Sequence, residues 1–312
     1  MRIVLIGASG FFGEYLLRAL TEEKHQCVAL TRNLARRKNL GLMPGVELKQ
    51  ADVYDAGTLA EHFANADAVV SMAGVLNESG SVGKGFYKVH VDLVKNIVEA
   101  CQTAGVSRLL HVSALNAGKG KSFYLKTKGQ AEKLLRSAEN LNVTIFQPSV
   151  IFGKGDDFFN RFAAMLQLAP VLPLACPNAR LQPVFAGDVA EVMQASLDDP
   201  MTWGKTYELA GPKSYSLKEL VQFTADTLGK QRRIIGLPSP VSAVMAKVMG
   251  LVPGKPFSWD NYQSLQTDNI TDESGFSYFG VQARSIEVEV PYYLTGSQHQ
   301  RRLGSFRRQM HH

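Results

Sequence analysis

The chain opens Met1-Arg-Ile-Val-Leu-Ile-Gly7-Ala-Ser-Gly10-Phe-Phe-Gly13, and the reading of this stretch decides the fold. Ile3 to Ile6 is an apolar, β-branched run of strand length, and Phe12 to Thr21 places Leu16, Leu17 and Leu20 on one helical face. Between them the glycines are spaced Gly-x-x-Gly-x-x-Gly. In that context Gly7 permits a sharp exit from the strand, Gly10 lets backbone N–H groups approach a pyrophosphate, and Gly13 lets helix pack closely on sheet. Ser9, Phe11 and Phe12 fill out the turn. Phosphates then sit at a helix N-terminus, where unpaired N–H groups and the helix dipole favour negative charge. Strand, turn and helix in that order distinguish a dinucleotide-binding turn from a chance cluster of glycines.

Further along, short β-branched runs alternate with helical patterns, which predicts a doubly wound parallel sheet. Strands are expected at Ile3 to Ile6, Cys27 to Leu30, Glu47 to Gln50, Ala68 to Ser71, Arg108 to Val112 and Thr144 to Gln147. Val91, Val94, Ile97 and Val98 repeat with helical spacing between the fourth and fifth. After Gly153 the pattern changes. Phe158 to Leu174 is aromatic and proline-punctuated, and the 18 residues between Arg161 and Arg180 carry no charge. Gln167, Pro170, Pro173 and Pro177 make that gap a poor membrane span and point to packing under a second lobe. Gln182 to Ala190 reads as a strand and helix returning to the main sheet. Ser216-Leu-Lys-Glu219 is a capping box opening a helix to about Leu228. Ser239-Pro240 opens another, with Val241, Val244, Met245 and Val248 on one face. The expected organisation is a nucleotide-binding domain over 1–150, joined by 181–198. A smaller α/β lobe for substrate or partner covers 151–180 and 199–295, and a basic tail covers 296–312.

Composition agrees with a globular α/β chain: 312 residues, 45% apolar, 20% charged and 9% aromatic exclude a disordered, collagen-like or membrane-bundle protein. Three separated cysteines suggest neither a disulfide framework nor a metal site, and fit a reducing cytoplasm. The N-terminus turns glycine-rich too soon for a signal peptide. The net charge of +6 is local: without Arg32, Arg36, Arg37, Lys38 and Arg301, Arg302, Arg307, Arg308 the chain has 26 basic and 28 acidic residues. Two local clusters suggest two anionic partners rather than a nucleic-acid face.

The second strand's end selects the cofactor. It reads Leu30-Thr31-Arg32-Asn33, without the carboxylate that would bind the ribose of NAD. Arg32, helped by Arg36 or Arg37, can instead pair with the 2′-phosphate of NADP, so NADP(H) is favoured over NAD(H). Asp52 and Val53 follow the third strand beside the adenine, and Ala73, Gly74 and Val75 follow the fourth. Val112 and Pro148, at the ends of the fifth and sixth strands, complete the cofactor-binding set. For catalysis, Ser113 ends the fifth strand, and Tyr124 and Lys128 stand four apart at the start of a helix. A nearby ammonium is expected to lower the tyrosine pKa, and Ser113 to polarise a substrate carbonyl during hydride transfer.

The combination of Gly7-x-x-Gly10-x-x-Gly13, His111-Val-Ser-Ala114, Tyr124-Leu-Lys-Thr-Lys128, Gln147-Pro-Ser-Val-Ile-Phe-Gly153, Phe158-Phe-Asn-Arg-Phe162 and Gln182 to Ala190 resembles an atypical, extended short-chain dehydrogenase/reductase. More narrowly, over residues 1 to about 295 it is similar to bacterial relatives of the nucleotide-binding accessory subunit of respiratory complex I. That resemblance implies a Rossmann domain holding NADP(H), and carries Ser113, Tyr124 and Lys128 onto active-site positions. It also implies that such proteins keep the tyrosine and lysine while serving as structural subunits, or in ubiquinone biosynthesis or the assembly of membrane redox complexes. The family's active-site asparagine is not evident here; His90 and Asp92 lie in that region.

Three readings follow. One is an NADPH-dependent oxidoreductase of an apolar carbonyl or quinone-like compound. Another is a non-catalytic, NADPH-holding module docked on a membrane-bound redox or quinone-biosynthesis complex, and a third is a nucleotide-sensing regulator. The tail interleaves arginines with Leu303 and Phe306, and is either a solvated end or a peripheral contact with anionic lipid on the inner face of the cytoplasmic membrane. His311 and His312 lack a third ligand, so no metal site is expected.

Overall fold

A computed structural model describes residues 1–77, 83–252 and 255–295. The side chains of Arg36 and Lys38 and the whole tail lie outside the described residues. Seven strands form the central sheet: Arg2–Ile6 (β1), Gln26–Thr31 (β2), Val46–Gln50 (β3), Ala68–Ser71 (β4), Arg108–Val112 (β5), Asn142–Pro148 (β6) and an edge strand, Thr206–Leu209. Their order is edge strand, β6, β5, β4, β1, β2, β3, every neighbour parallel. All six expected strands are present within one or two residues of the expected bounds. The order reverses between β1 and β4, the point at which a doubly wound sheet opens a crevice at its carboxyl edge.

The helices are α1 (Phe11–Glu22), α2 (Ala56–Phe63), α3 (Lys84–Tyr87), α4 (Leu93–Ala104), α5 (Phe123–Arg136), α6 (Phe158–Leu168), α7 (Ala186–Ala195), α8 (Leu217–Thr227), α9 (Ser239–Met249) and α10 (Trp259–Ser264), with a further helix over 286–295. β1 explains why its sequence is unbroken apolar rather than alternating. Ile3 and Leu5 bury against α1 and α7, with Leu16, Leu17, Val189 and Met193. Val4 and Ile6 bury on the opposite face, among Leu59, Phe63, Ile97 and Leu135 of α2, α4 and α5. A strand covered on both faces has no polar side to show.

A third core, built from Phe152, Phe159, Leu166, Leu172, Leu220, Val221 and Ile234, holds the smaller lobe together. The uncharged stretch after Arg161 supplies much of it, and among the described residues no helix is long and apolar enough to cross a membrane. The capping box forms as read, with Ser216 Oγ accepting the Glu219 N–H and the Glu219 carboxylate accepting the Ser216 N–H. Two expectations about the returning segments change. The strand Val184–Phe185 pairs with Ile151–Phe152 outside the main sheet, so only α7, packed on α1, rejoins the first domain. Thr206–Leu209, placed with the smaller lobe by its position in the sequence, is the edge of the main sheet beside β6. Only Leu209 of that strand is fully buried, so it lacks the apolar run that marks the others.

Gly13 sits where α1 crosses the end of β1, and a Cβ there would lie 2.0 Å from the Ala8 carbonyl oxygen. Gly13→Ala is therefore expected to cost about 1–3 kcal/mol through overpacking, seen as a lower urea midpoint. An unchanged midpoint would contradict this packing.

Candidate functional site

The glycine turn and the loop after β4 meet at the crevice. Gly7 has φ +90°, and a Cβ on it would lie 2.7 Å from the Ala73 backbone nitrogen, so only glycine lets the two loops close together. The Gly10 N–H donates to Gly7 O at 3.0 Å, which tightens the turn. Gly10 caps α1 without a side-chain hydrogen bond, leaving the first-turn N–H groups facing the crevice for an anion. Ser9 and Phe11 are half-buried there; the Phe11 ring lies edge-on to Tyr15 at 5.6 Å, and Phe12 packs into the first core.

The ends of β2 and β3 form the other side. Thr31 is buried and its hydroxyl accepts the Asn33 N–H, while Arg32 is exposed. The Asp52 carboxylate accepts the Tyr54 N–H at 3.0 Å, and Val53 is buried. Tyr54, missed in the sequence, feels two cations. Burial raises its phenol pKa against the pull of Arg32, and Lys88 Nζ stands 4.6 Å from its ring centroid. Arg37 sits at a kink, with φ −139° and ψ 34°. These features fit a dinucleotide: two positions a Cβ would block, an open helix N-terminus, and a guanidinium where a ribose-binding acid would otherwise stand.

Helix α5 carries Tyr124, Lys128, Glu132 and Arg136 at intervals of four, one row along its face. Lys128 Nζ donates to Val112 O at 3.0 Å, which ties the row to the end of β5. Burial lowers the Lys128 pKa to about 8, against the raising effect of Glu132. Glu132 was not singled out in the sequence, yet it organises this end of the site. Its carboxylate accepts from Ser113 Oγ at 2.5 Å, Gln147 Nε2 at 2.7 Å and Arg136 Nη2 at 3.0 Å. Ser113 therefore directs its hydroxyl hydrogen bond to Glu132, a different role from polarising a substrate carbonyl. The expected lowering of Tyr124 is also overturned: burial pushes its phenol up to about 12. Tyr124 is a protonated donor, not a phenolate. Pro148, at the end of β6, is buried and accepts the Leu115 N–H at 2.9 Å.

His90 lies in the region where the sequence shows no evident active-site asparagine; Asn96, further along α4, donates its Nδ2 to Tyr54 O at 2.8 Å. His90 lies in a wide π-turn, Lys88–Asp92, between α3 and α4, a distortion that re-aims a side chain within a helix. Its Nε2 accepts the Val75 N–H at 3.4 Å, so the proton sits on Nδ1, 2.9 Å from Thr127 Oγ1. Its ring is edge-to-face with Tyr124 at 5.5 Å. A Cβ on Gly74 would lie 3.5 Å from Lys128 Nζ and 3.9 Å from His90 Nε2, so backbone, lysine and histidine meet at one point. Asp260 of α10 accepts the Phe123 and Tyr124 N–H groups at 2.6 and 3.2 Å, capping α5 from the smaller lobe. A cavity of about 750 Å³ lies elsewhere, along the edge strand, lined by Gln147, Tyr207, Glu208, Ser274 and Tyr278. Among the described residues no cluster of three metal-ligating side chains is present.

Burial, then Lys128 and His111, drive the His90 pKa down to about 2 from its ordinary 6.5. The folded chain keeps this ring neutral where the unfolded chain protonates it, so stability present above pH 6.5 is lost as pH falls, by about 1.4 kcal/mol per unit. His90→Asn removes that loss, so its urea midpoint should fall less than that of the parent between neutral pH and about pH 4.5. Parallel acid profiles would contradict the buried neutral ring.

A family model described as NAD(P)H-binding matches residues 7–164, just over half of the chain. The chain is 28% identical over 295 residues to the mitochondrial NADH dehydrogenase (ubiquinone) 1 alpha subcomplex subunit 9 of Mus musculus, covering 91% of this chain and 77% of that protein. It is 26% identical over 242 residues to the ceramide reductase of Caulobacter vibrioides, covering 76% and 74%. Among solved structures, the NADPH-dependent quinone oxidoreductase of Escherichia coli in complex with NADPH has a TM-score of 0.73 at 22% identity, over 91% of this chain and 96% of that one. That likeness is one of fold. The glycine turn, the sheet around it and the matched residues 7–164 make the chain a member of the NAD(P)H-binding family with a short-chain dehydrogenase/reductase-like fold.

Proposed function

We propose that the protein is an NADPH-dependent reductase of an apolar carbonyl or quinone-like compound. The observation that carries this reading is the meeting of His90, whose ring is edge-on to Tyr124, with Lys128 Nζ at the Gly74 backbone, at the carboxyl edge of the sheet where the crevice opens. A bound nicotinamide nucleotide supplies a hydride. The phenol of Tyr124 delivers the matching proton to the substrate oxygen, so that hydride and proton together convert a carbonyl to an alcohol or a quinone to a hydroquinone. Lys128, held by Val112 O, keeps a buried positive charge close to the resulting phenolate and stabilises it. Glu132 fixes Ser113 and Gln147 around the row on α5. The N–H groups at the start of α1 hold the pyrophosphate, and Arg32, at the end of β2, pairs with the 2′-phosphate that distinguishes NADPH. Two of the relatives support the reading through their names, which specify reduction of ceramide and of quinone.

One observation favours a second reading, a non-catalytic holder of NADPH on a membrane-bound redox or quinone-biosynthesis complex. Ser113 is turned to Glu132, away from a substrate carbonyl. Similarity to a subunit of mitochondrial NADH dehydrogenase supplies the kind of partner. Both readings place the protein in the cytoplasm at the inner face of the cytoplasmic membrane. Cys27, Cys101 and Cys176 are all free thiols, as suits a reducing compartment. The basic tail lies outside the described residues and stays a candidate for either a solvated end or a second contact with anionic lipid.

Arg32→Ala should weaken NADPH binding by about tenfold or more and leave NADH binding within about twofold, measured by titration calorimetry. Equal losses would contradict the 2′-phosphate assignment. In single-turnover absorbance with a short-chain quinone, the intact protein should oxidise bound NADPH, and Tyr124→Phe should slow this by about 100-fold or more. Tight cofactor binding without oxidation by either protein would leave the holder reading in place of the reductase.

A further inference from the structure

Helix α9 turns its larger apolar side chains outward. Its inward side is small, Ser242 and Ala246, with Ser242 Oγ accepting the Cys176 N–H at 3.2 Å. Val241, Val244 and Val248 lie on the opposite side, and Leu251 and Val252 continue the stripe one turn beyond the helix. Val244 is 61% exposed, Val248 58% and Leu251 87%. A contiguous apolar face of this kind on a folded chain marks a contact surface, because leaving it in water forgoes the free energy of burial.

Charge identifies the occupant. From Leu228 to Trp259 the sequence contains Lys230, Arg232, Arg233, Lys247 and Lys255 with no acid before Asp260; Lys247 lies on α9 itself, while Arg232 Nε donates to Leu166 O. Arg161 reaches the same region from α6, its Nη1 donating to Pro256 O at 3.3 Å. Lys247 Nζ lies 5.3 Å from the Trp259 ring centroid, and Trp259 is itself exposed, an aromatic at the border between apolar face and basic rim. A second copy of this surface would bring like charges together. An extended peptide would need a groove, whereas this face is the convex side of a helix.

We infer that the outward face of α9 lies on an anionic lipid surface, the valines and leucine entering the headgroup boundary and Lys247, on the same helix, reaching lipid phosphates within the basic segment around it. The surface is distinct from the C-terminal tail and independent of the cofactor chemistry. Its place in the fold gives it a consequence for the crevice. α10 packs on α9, its Asp260 caps α5, and its Asn261 Nδ2 donates to Leu76 O in the loop beyond Gly74. Docking through α9 thus sets the Tyr124 side of the molecule near the membrane, where a lipid-soluble substrate or a membrane complex is met.

The test is flotation of the full chain with vesicles of phosphatidylcholine alone or with about 30% phosphatidylserine, comparing the intact protein with Val244→Glu/Val248→Glu. Both side chains are exposed, so the thermal midpoint and NADPH affinity of the double variant should match those of the intact protein. The expected result is binding to the anionic vesicles only, reduced about tenfold or more in the double variant, with the same dependence in a chain truncated after Thr295. Undiminished flotation of the double variant, equal flotation on neutral vesicles, or an intact protein that stays off both vesicles would overturn the inference. So would a dimer in sedimentation that the double variant dissociates, which would make a second copy the occupant. A failure of NADPH oxidation leaves all of these outcomes readable.

Discussion

The close approach of three backbone segments at the end of β1 is the constraint on which the rest of the site depends. Gly7 lets the turn come within van der Waals distance of Ala73, and Gly13 lets α1 lie directly on Ala8. Neither position has room for a side chain. The outcome is an open helix N-terminus aimed into the crevice between β1 and β4, with no side-chain cap hydrogen bond at Gly10. Sheet order, glycine spacing and anion-binding capacity are therefore one physical arrangement seen at three scales.

The row on α5 joins that crevice to both halves of the molecule. At its start, Asp260 accepts two backbone N–H groups from 136 and 137 residues away in sequence, so the smaller lobe sets the position of Tyr124. In the middle, Lys128 is anchored to a β5 carbonyl, and further along Glu132 gathers Ser113, Gln147 and Arg136. The electrostatic character of the site follows from burial more than from pairing. Lys128, His90 and His111 are all pushed toward neutrality, while the Tyr124 phenol is held protonated. The row therefore carries its one firmly held proton on the Tyr124 phenol. Burial makes that group a weaker acid than a free phenol but still acidic enough to protonate an alkoxide.

The sequence made the nucleotide half legible, and the reason is local. Strands covered on both faces leave continuous apolar runs, and a glycine needed for a close approach tolerates no substitute, so both leave marks in a single chain. Tyr124 and Lys128 could be nominated because four-residue spacing on a helix is also local. Glu132 lay on the same row but reads as an ordinary solvated helix residue until β5 and β6 are seen to bury it. Tyr54 and the Asp260 cap were hidden for the same reason, since their partners are remote in sequence. The π-turn at Lys88–Asp92 has no composition that announces it, so the placement of His90 could not be read. Periodicity identified the face of α9 carrying Val241, Val244 and Val248, but it does not say which way a face points, and here the small residues point in. The lowering of Tyr124 by Lys128 failed because proximity was weighed without burial.

Hydrogen–deuterium exchange of the full chain with and without NADPH tests the account most directly, because it locates the cofactor without requiring turnover. The account predicts slower exchange in the turn around Gly7 to Gly13, at Thr31 to Asn33, at Asp52 to Tyr54 and across Ala73 to Leu76, with α9 unchanged. Protection confined to the edge-strand cavity around Ser274 to Tyr278, or no protection in the glycine turn at saturating cofactor, would contradict it.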